Sequence, residues 1–308
     1  MAQSFQESIG EREMNGTKLQ IITGDITKID ADAVVNSTDS ICSGSGGLDF
    51  AIHKAAGAKL AEALCTGRKP AEGTAIITPA FEIKTAKWII HTVGPKWKKG
   101  FDYEEFTLAE CYRNSLRIAA EHKCESVAFP CISIGNNGFP ADRAAEIAVR
   151  TVVNMVQDRN NTSDIRQIFF VCPEEQAEVY KKHMKNAIID SFLHDYSPES
   201  MPYYGSDKYY ACMQNLALLE WGDIKCHHKY HSCFGRIEPS NPHGYHSKYN
   251  QYAQNLNSWD YSTCLAYLIA IFRPPHTYDG TGLILPHYAQ CKNGTVRRVL
   301  IRMRTLLG

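Results

Sequence analysis

Apolar and polar positions along the first two-thirds of the chain fall into short blocks whose period switches repeatedly between that of a strand and that of a helix. Leu19-Gln20-Ile21-Ile22-Thr23 reads as a buried strand stopped by the Gly24-Asp25 turn. Ala33-Val34-Val35 reads as a second, ending in the turn-forming cluster Asn36-Ser37-Thr38-Asp39. Continued along the chain, the pattern predicts strands at 18–23, 32–36, 74–79, 87–91, 126–130 and 167–171. It predicts helices at 48–55, 58–66, 105–122, 141–156 and 174–189. Strands alternating with helices imply an α/β fold in three layers. The start, Met1 to Asn15, is polar and is expected to be frayed.

Two glycine-bearing loops stand between a strand and a helix. Ser43-Gly44-Ser45-Gly46-Gly47 precedes the helical run Leu48 to Ala56, and Cys131 to Pro140 lies between the strand at 126–130 and the helix from Ala141. Backbone N–H groups in such a loop, opening onto a helix start, form a ready anion site. A pair of them can clamp one diphosphate. In open α/β sheets ligands sit beyond the carboxyl ends of the strands, where both loops belong.

With these loops in view, roughly the first 190 residues resemble a macro domain, the ADP-ribose-binding module, and in particular its branch with ADP-ribosyl hydrolase activity. The resemblance is carried by Gly24-Asp25-Ile26-Thr27, by Asp32-Ala33-Val34-Val35-Asn36 and by Gly46-Gly47-Leu48-Asp49 with Ala51-Ile52-His53 and Ala55-Ala56-Gly57. Ile90-His91-Thr92-Val93-Gly94-Pro95 and the loop Ser133 to Pro140 complete it. It implies a three-layer α/β/α fold on a mixed sheet, with ADP-ribose or an ADP-ribosylated protein as partner. It also implies roles. Asp25 takes the adenine amino group with help from the Ile26 backbone. The backbone of Ser133, Ile134, Gly135, Asn136, Asn137 and Gly138 cradles the diphosphate, and Phe139 packs near the distal ribose. Gly46 and Gly47 line that ribose from the other side, near Asn36. Asp49 matches the acid that readies water for attack at the anomeric carbon, which is general-base work.

The chain departs from the pattern at Asp39, where the hydrolytic branch carries asparagine ten positions before its acid. An amide that can donate becomes a carboxylate that only accepts. If Asp39 and Asp49 face one ribose they repel, and one of the two pKa values rises. The outcome is either an enzyme with a base tuned toward neutrality or a non-catalytic reader of ADP-ribose. Asn136-Asn137 also stand where an aliphatic and an aromatic residue are usual, which predicts a more polar and open lid. Taken without the resemblance, Asn36 and Asp25 are turn residues, and Asp49 is a carboxylate at a helix N-terminus. His53 and His91 read as packed histidines with no orienting partner. No metal or redox cofactor is called for, because the substrate diphosphate and backbone dipoles can supply the electrostatics.

Composition divides the chain. Residues 1–200 hold 22 Lys and Arg against 27 Asp and Glu, whereas residues 201–308 hold 11 against 6 together with 12 of the 16 tyrosines. The shift marks a domain at 1–196 and a smaller, mostly α-helical one at 203–308, joined through the Pro and Ser stretch Ser197 to Pro202. The second domain weakly resembles a bacterial helical family of unknown function. Its last helix, Thr295 to Leu307, puts Val296, Val299, Leu300 and Met303 on one face and Arg297, Arg298, Arg302 and Arg304 on much of the rest. Basic and tyrosine-rich character there raises the alternative of a regulatory macro domain coupled to nucleic-acid binding. The group Cys226, His227, His228, His231 and Cys233 has zinc-ligand chemistry but no standard spacing. The sequence shows neither a long apolar run nor a signal peptide, and its 11 cysteines are scattered. The expectation is a cytoplasmic protein with reduced thiols and no membrane span.

Overall fold

A computed structural model describes residues 7–14, 16–67, 69–100, 103–158, 162, 164–195, 253–260, 264 and 295–307. The chain divides into two compact units, Met1–Met184 and Lys185–Gly308.

In the first unit the strands are β1 (Glu7–Met14), β2 (Thr17–Thr23), β3 (Ala33–Thr38), β4 (Ala75–Pro79), β5 (Trp88–Val93), β6 (Ser126–Pro130) and β7 (Gln167–Cys172). The helices are α1 (Gly47–Ala56), α2 (Ala58–Thr66), α3 (Glu104–Glu121), α4 (Ala141–Gln157) and α5 (Glu174–Asp195), the last running past the unit boundary. The strands form one sheet in the order β1-β2-β7-β6-β3-β5-β4. β2, β7, β6, β3 and β5 are mutually parallel, while β1 and β4 are antiparallel edges. The sheet is therefore mixed, as expected.

Register explains the layers. Phe169, Ala128, Val34 and Ile89 form one row across four strands, and with Ile22 and Val171 they pack against Ile52, Ala56, Leu60 and Leu64 of α1 and α2. The next row alternates to the opposite face. There Phe129 meets Tyr112 of α3 and Phe170 meets Tyr180 of α5, at ring separations of 5.1 and 5.4 Å. On that side Arg143 of α4 grips Glu105 of α3 through two bonds of 2.7 Å. The near-continuous apolar run of Gln167–Cys172 follows from burial on both faces.

One expectation is corrected. Residues 7–14 are not a frayed start but β1, paired along β2 with a register shift between Ser8 and Gly10 and with Met14 buried.

In the second unit, α6 (Thr295–Leu307) buries Val296, Val299, Leu300 and Met303, the face read from the sequence. Its arginines are used: Arg297 donates to the Leu193 carbonyl, Arg302 to the Trp259 carbonyl and Arg304 to the Asp190 carboxylate. The linker Ser197 to Pro202 and the Cys226 to Cys233 group lie outside the described residues. Among the described residues no helix is long and apolar enough to cross a membrane.

Candidate functional site

The loops after β2, β3, β5 and β6 leave the carboxyl ends of the parallel strands, and each predicted site residue except Asn36, Gly47 and Asp49 lies on one of them. Asn36 is inside β3, and Gly47 and Asp49 are in the first turn of α1.

Asp49 is the centre of one cluster. Alternation along β3 turns Asn36 and Thr38 toward the α1 face, and the left-handed Gly44 brings its N–H back to the same point. The Asp49 carboxylate, 6% exposed, accepts from Asn36 Nδ2 at 2.7 Å, from Thr38 Oγ1 at 2.9 Å and from the Gly44 N–H at 2.9 Å. His53, one turn on along α1, places Nε2 3.4 Å from Asp49 Oδ1, and among the described residues that ring nitrogen has no hydrogen-bond partner. Gly44 lies against the His53 ring so closely that a Cβ would come within 2.9 Å of it. Behind Asn36, His91 sits opposite it in the β3–β5 register, with Nδ1 3.2 Å from Asn36 Nδ2 and Nε2 3.0 Å from Thr78 Oγ1. Burial first, then the neighbouring His53, push the His91 pKa down to about 3, so its ring is neutral.

Asn36 is thus more than a strand-end turn residue, because it joins the acid to a buried histidine. The reading of His53 as lacking a partner is corrected: Asp49 is beside it. Thr38, Gly44 and His53 belong to the cluster although the sequence reading did not assign them to it.

The expected repulsion between Asp39 and Asp49, with a raised pKa, does not describe Asp39. Its carboxylate turns onto its own loop, accepting from the Ile41 and Ser43 N–H groups at 3.0 and 3.1 Å and from the hydroxyls of Ser43 and Ser45. Burial opposes the charge, but these bonds, led by that from the Ser43 hydroxyl, hold its pKa below the usual carboxylate value. From the other side Lys69 donates to the carbonyls of Ile41 at 2.8 Å and Leu64 at 2.6 Å, fastening the loop to α2. Asp39 is a brace. Beyond it Gly46 and Gly47 open α1, and a Cβ on either would meet nothing within 4 Å. Space is left there for a ligand.

The second cluster is the loop after β6. Ser133 is buried and left-handed, with φ 68°. Its carbonyl accepts from the Phe139 N–H at 3.0 Å, and the Gly135 carbonyl accepts from the Gly138 N–H at 2.9 Å. The N–H groups of Ile134, Gly135, Asn136 and Asn137 take no hydrogen bond among the described residues, and a Cβ on Gly135 or Gly138 would meet nothing within 4 Å. Such a run of unsatisfied donors suits phosphate oxygens. Asn136 is exposed, but the open, polar lid is corrected at Asn137. Asn137 Nδ2 donates to the Gly94 carbonyl at 2.9 Å and its carbonyl accepts from the Trp97 N–H at 2.9 Å. Trp97 packs on the buried Phe139 at 4.6 Å. The loops at 94–97 and 133–139 are clasped together.

Asp25 lies at the end of β2, exposed, and its Oδ1 accepts from the Thr27 N–H and hydroxyl at 2.9 and 2.8 Å, which caps the short helical turn Ile26–Lys28. Ile26 is buried beneath it.

A family model described as the Macro domain matches residues 35–148. A macro domain-containing protein of Ralstonia nicotianae is 47% identical over 154 residues, covering 50% of this chain and 86% of that protein. An O-acetyl-ADP-ribose deacetylase of Salmonella typhimurium is 43% identical over 171 residues, covering 54% of this chain and 93% of the enzyme. Among solved structures, the macrodomain of Oceanobacillus iheyensis with ADP is similar at TM-score 0.56 and 35% identity, covering 61% of this chain and 100% of that one. The same macrodomain has been solved as two variants in which an asparagine and an aspartate ten positions apart are replaced by alanine.

Proposed function

This chain belongs to the macro domain family, and on that premise we propose that its first unit binds ADP-ribose and hydrolyses an ADP-ribosyl ester, either on an acidic side chain or as O-acetyl-ADP-ribose. The observation that carries the proposal is the Asp49 cluster, a gripped carboxylate beside the open Gly46-Gly47 turn with His53 Nε2 at 3.4 Å. That gap is long for a direct hydrogen bond and is the loosest of the carboxylate's four contacts. A water entering there would be oriented by both side chains.

In this reading the diphosphate takes the N–H groups of the 133–138 loop, Asp25 accepts from the adenine amino group beside the Ile26 backbone, and the distal ribose lies between Gly46-Gly47 and Phe139. The oriented water attacks the anomeric carbon as the carbon–oxygen bond to the acyl group breaks. The carboxylate leaves with the bonding electrons, and the water's proton passes to Asp49. Asn36 and Thr38 position the acid, and Asp39 keeps the 39–45 loop in place. The relative named as a deacetylase supports an ester substrate. The asparagine and aspartate replaced in the solved variants are ten positions apart, the spacing of Asp39 and Asp49 in this chain.

One observation favours a second reading, a reader without turnover. Asn36, Thr38, Gly44 and His53 already surround the Asp49 oxygens, leaving little acceptor capacity for a substrate water.

The deciding experiment follows ADP-ribose release from glutamate- or aspartate-modified protein, with ADP-ribose binding measured by calorimetry on the same samples. Asp49→Ala and His53→Ala are each expected to lose about a hundredfold in rate, the usual scale of general-base catalysis, while retaining binding. Equal rates for wild type and Asp49→Ala would overturn the catalytic half. Binding by wild type without any release would establish the reader.

A further inference from the structure

Beneath the 133–139 loop lies a group of nucleophilic and phenolic side chains for which the proposed hydrolysis has no use. The β6–β7 register pairs Phe129 with Phe170 and Pro130 with Val171. Continued by one residue it brings Cys131 opposite Cys172, the last residue of β7. Since side chains alternate along a strand, Cys131 shares the face of Phe129 and Cys172 that of Phe170, the face covered by Tyr112 and Tyr180. Neighbouring strands lie about 4.8 Å apart, inside the Cα separation of about 4.4–6.8 Å that a disulfide accepts.

Each thiol is the leading influence on the other's proton affinity: Cys131 lowers the Cys172 pKa, and Cys172, together with burial, raises that of Cys131. Cys172 also points at the Ile22 carbonyl, with Sγ 3.8 Å away. Cys172 is buried and the residue Cys131 is partly exposed, and of the two thiols Cys172 is the better thiolate. The remaining buried thiols differ. Burial raises the pKa of Cys42, Cys111, Cys124 and Cys264, and among the described residues no second cysteine acts on any of them.

We infer that Cys131 and Cys172 form a redox-modification site, in which a peroxide oxidises the two thiols to a disulfide that ties the base of the 133–139 loop to the end of β7. The step balances. One sulfur takes an oxygen from the peroxide to become a sulfenic acid, releasing water or an alcohol. The other sulfur attacks it, the S–S bond forms, and the oxygen leaves as a second water. The two thiols are oxidised by two electrons and the peroxide is reduced by two.

The consequence falls on the loop. Bonded sulfurs sit about 2.05 Å apart, far closer than two thiols in contact. Cys172 is fixed in strand pairing opposite Thr23, whereas Cys131 lies just past the end of β6. Cys131 therefore moves, and two residues on is Ser133, whose left-handed backbone starts the loop. That oxidation weakens ADP-ribose binding rests on the function proposed above, but the disulfide itself does not.

The test uses the full chain, treated with hydrogen peroxide or kept reduced, with peptide mapping by mass spectrometry and ADP-ribose calorimetry on each sample. A cross-linked peptide pair containing Cys131 and Cys172 that disappears on reduction is expected, together with about a tenfold weaker ADP-ribose Kd that dithiothreitol restores. Cys131→Ser and Cys172→Ala should each bind as the reduced wild type does and be indifferent to peroxide. Absence of the cross-link, or a cross-link that leaves the Kd unchanged, overturns the inference. Reduced wild type that fails to bind ADP-ribose, yet forms the cross-link, overturns the proposed function and leaves the modification site standing.

Discussion

His91 reaches no solvent, and its ring is held between Asn36 and Thr78, with a pKa near 3 against an ordinary 6.5. A histidine lowered in the fold binds its proton more readily in the unfolded chain. Stability is therefore complete above about pH 6.5 and is lost as pH falls toward 3, by about 1.4 kcal/mol for each pH unit. His183, also lowered by burial, adds a slope of the same sign. In denaturant titrations between pH 6.5 and 4.5, His91→Gln should show a shallower loss than wild type; parallel curves would rule out His91 as the titrating group. Neither this residue nor the sense of Asp39 was open to a reader of the sequence. Asn36 and His91 are 55 positions apart and meet only through strand register, and nothing in Asp39 says which way its carboxylate turns. His53 was accessible, because positions four apart on a helix share a face and the acid was already identified. Its adjacent residues in sequence, Ile52 and Lys54, hide this, because the partner Asp49 is one turn back.

Element by element, periodicity located the helices and the interior strands to within a few residues, apart from the end of α5, which runs on from 189 to Asp195, since each buries an apolar face and so carries a clear period. It overlooked β1. Glu-Ser-Ile-Gly-Glu-Arg-Glu-Met has the polarity of a tail, and charged residues are common in edge strands because they discourage pairing with other molecules. The strand is nonetheless the cover for β2. Truncation of residues 1–14 should expose the β2 edge, lower the Tm by on the order of 5 °C and bring on aggregation, followed by thermal denaturation with light scattering. An unchanged Tm would mean that β1 contributes nothing to the sheet. At the opposite edge β4 is antiparallel too, so the parallel interior is flanked on both sides.

At the scale of the whole molecule, the Asp49 cluster and the 133–139 loop both fall within the unit Met1–Met184. A fragment of residues 1–196, which retains all of α5, is expected to bind ADP-ribose with the affinity of the full chain to within about twofold. A loss of more than about tenfold by calorimetry would mean that residues beyond 196 contribute to the site. The charge excess after residue 200 was legible as composition, yet composition could not tell that Arg297, Arg302 and Arg304 are bonded to backbone and carboxylate oxygens of their own unit. The clasp between the 94–97 and 133–139 loops has a consequence of another kind. Trp97 on Phe139, Asn137 on Gly94 and Ser133 wedged where a Gly94 Cβ would lie 2.2 Å from its hydroxyl fix both segments before any ligand arrives. The backbone freedom that a phosphate would otherwise have to freeze is already gone, so association loses little further entropy and more of each N–H···O contact remains as affinity.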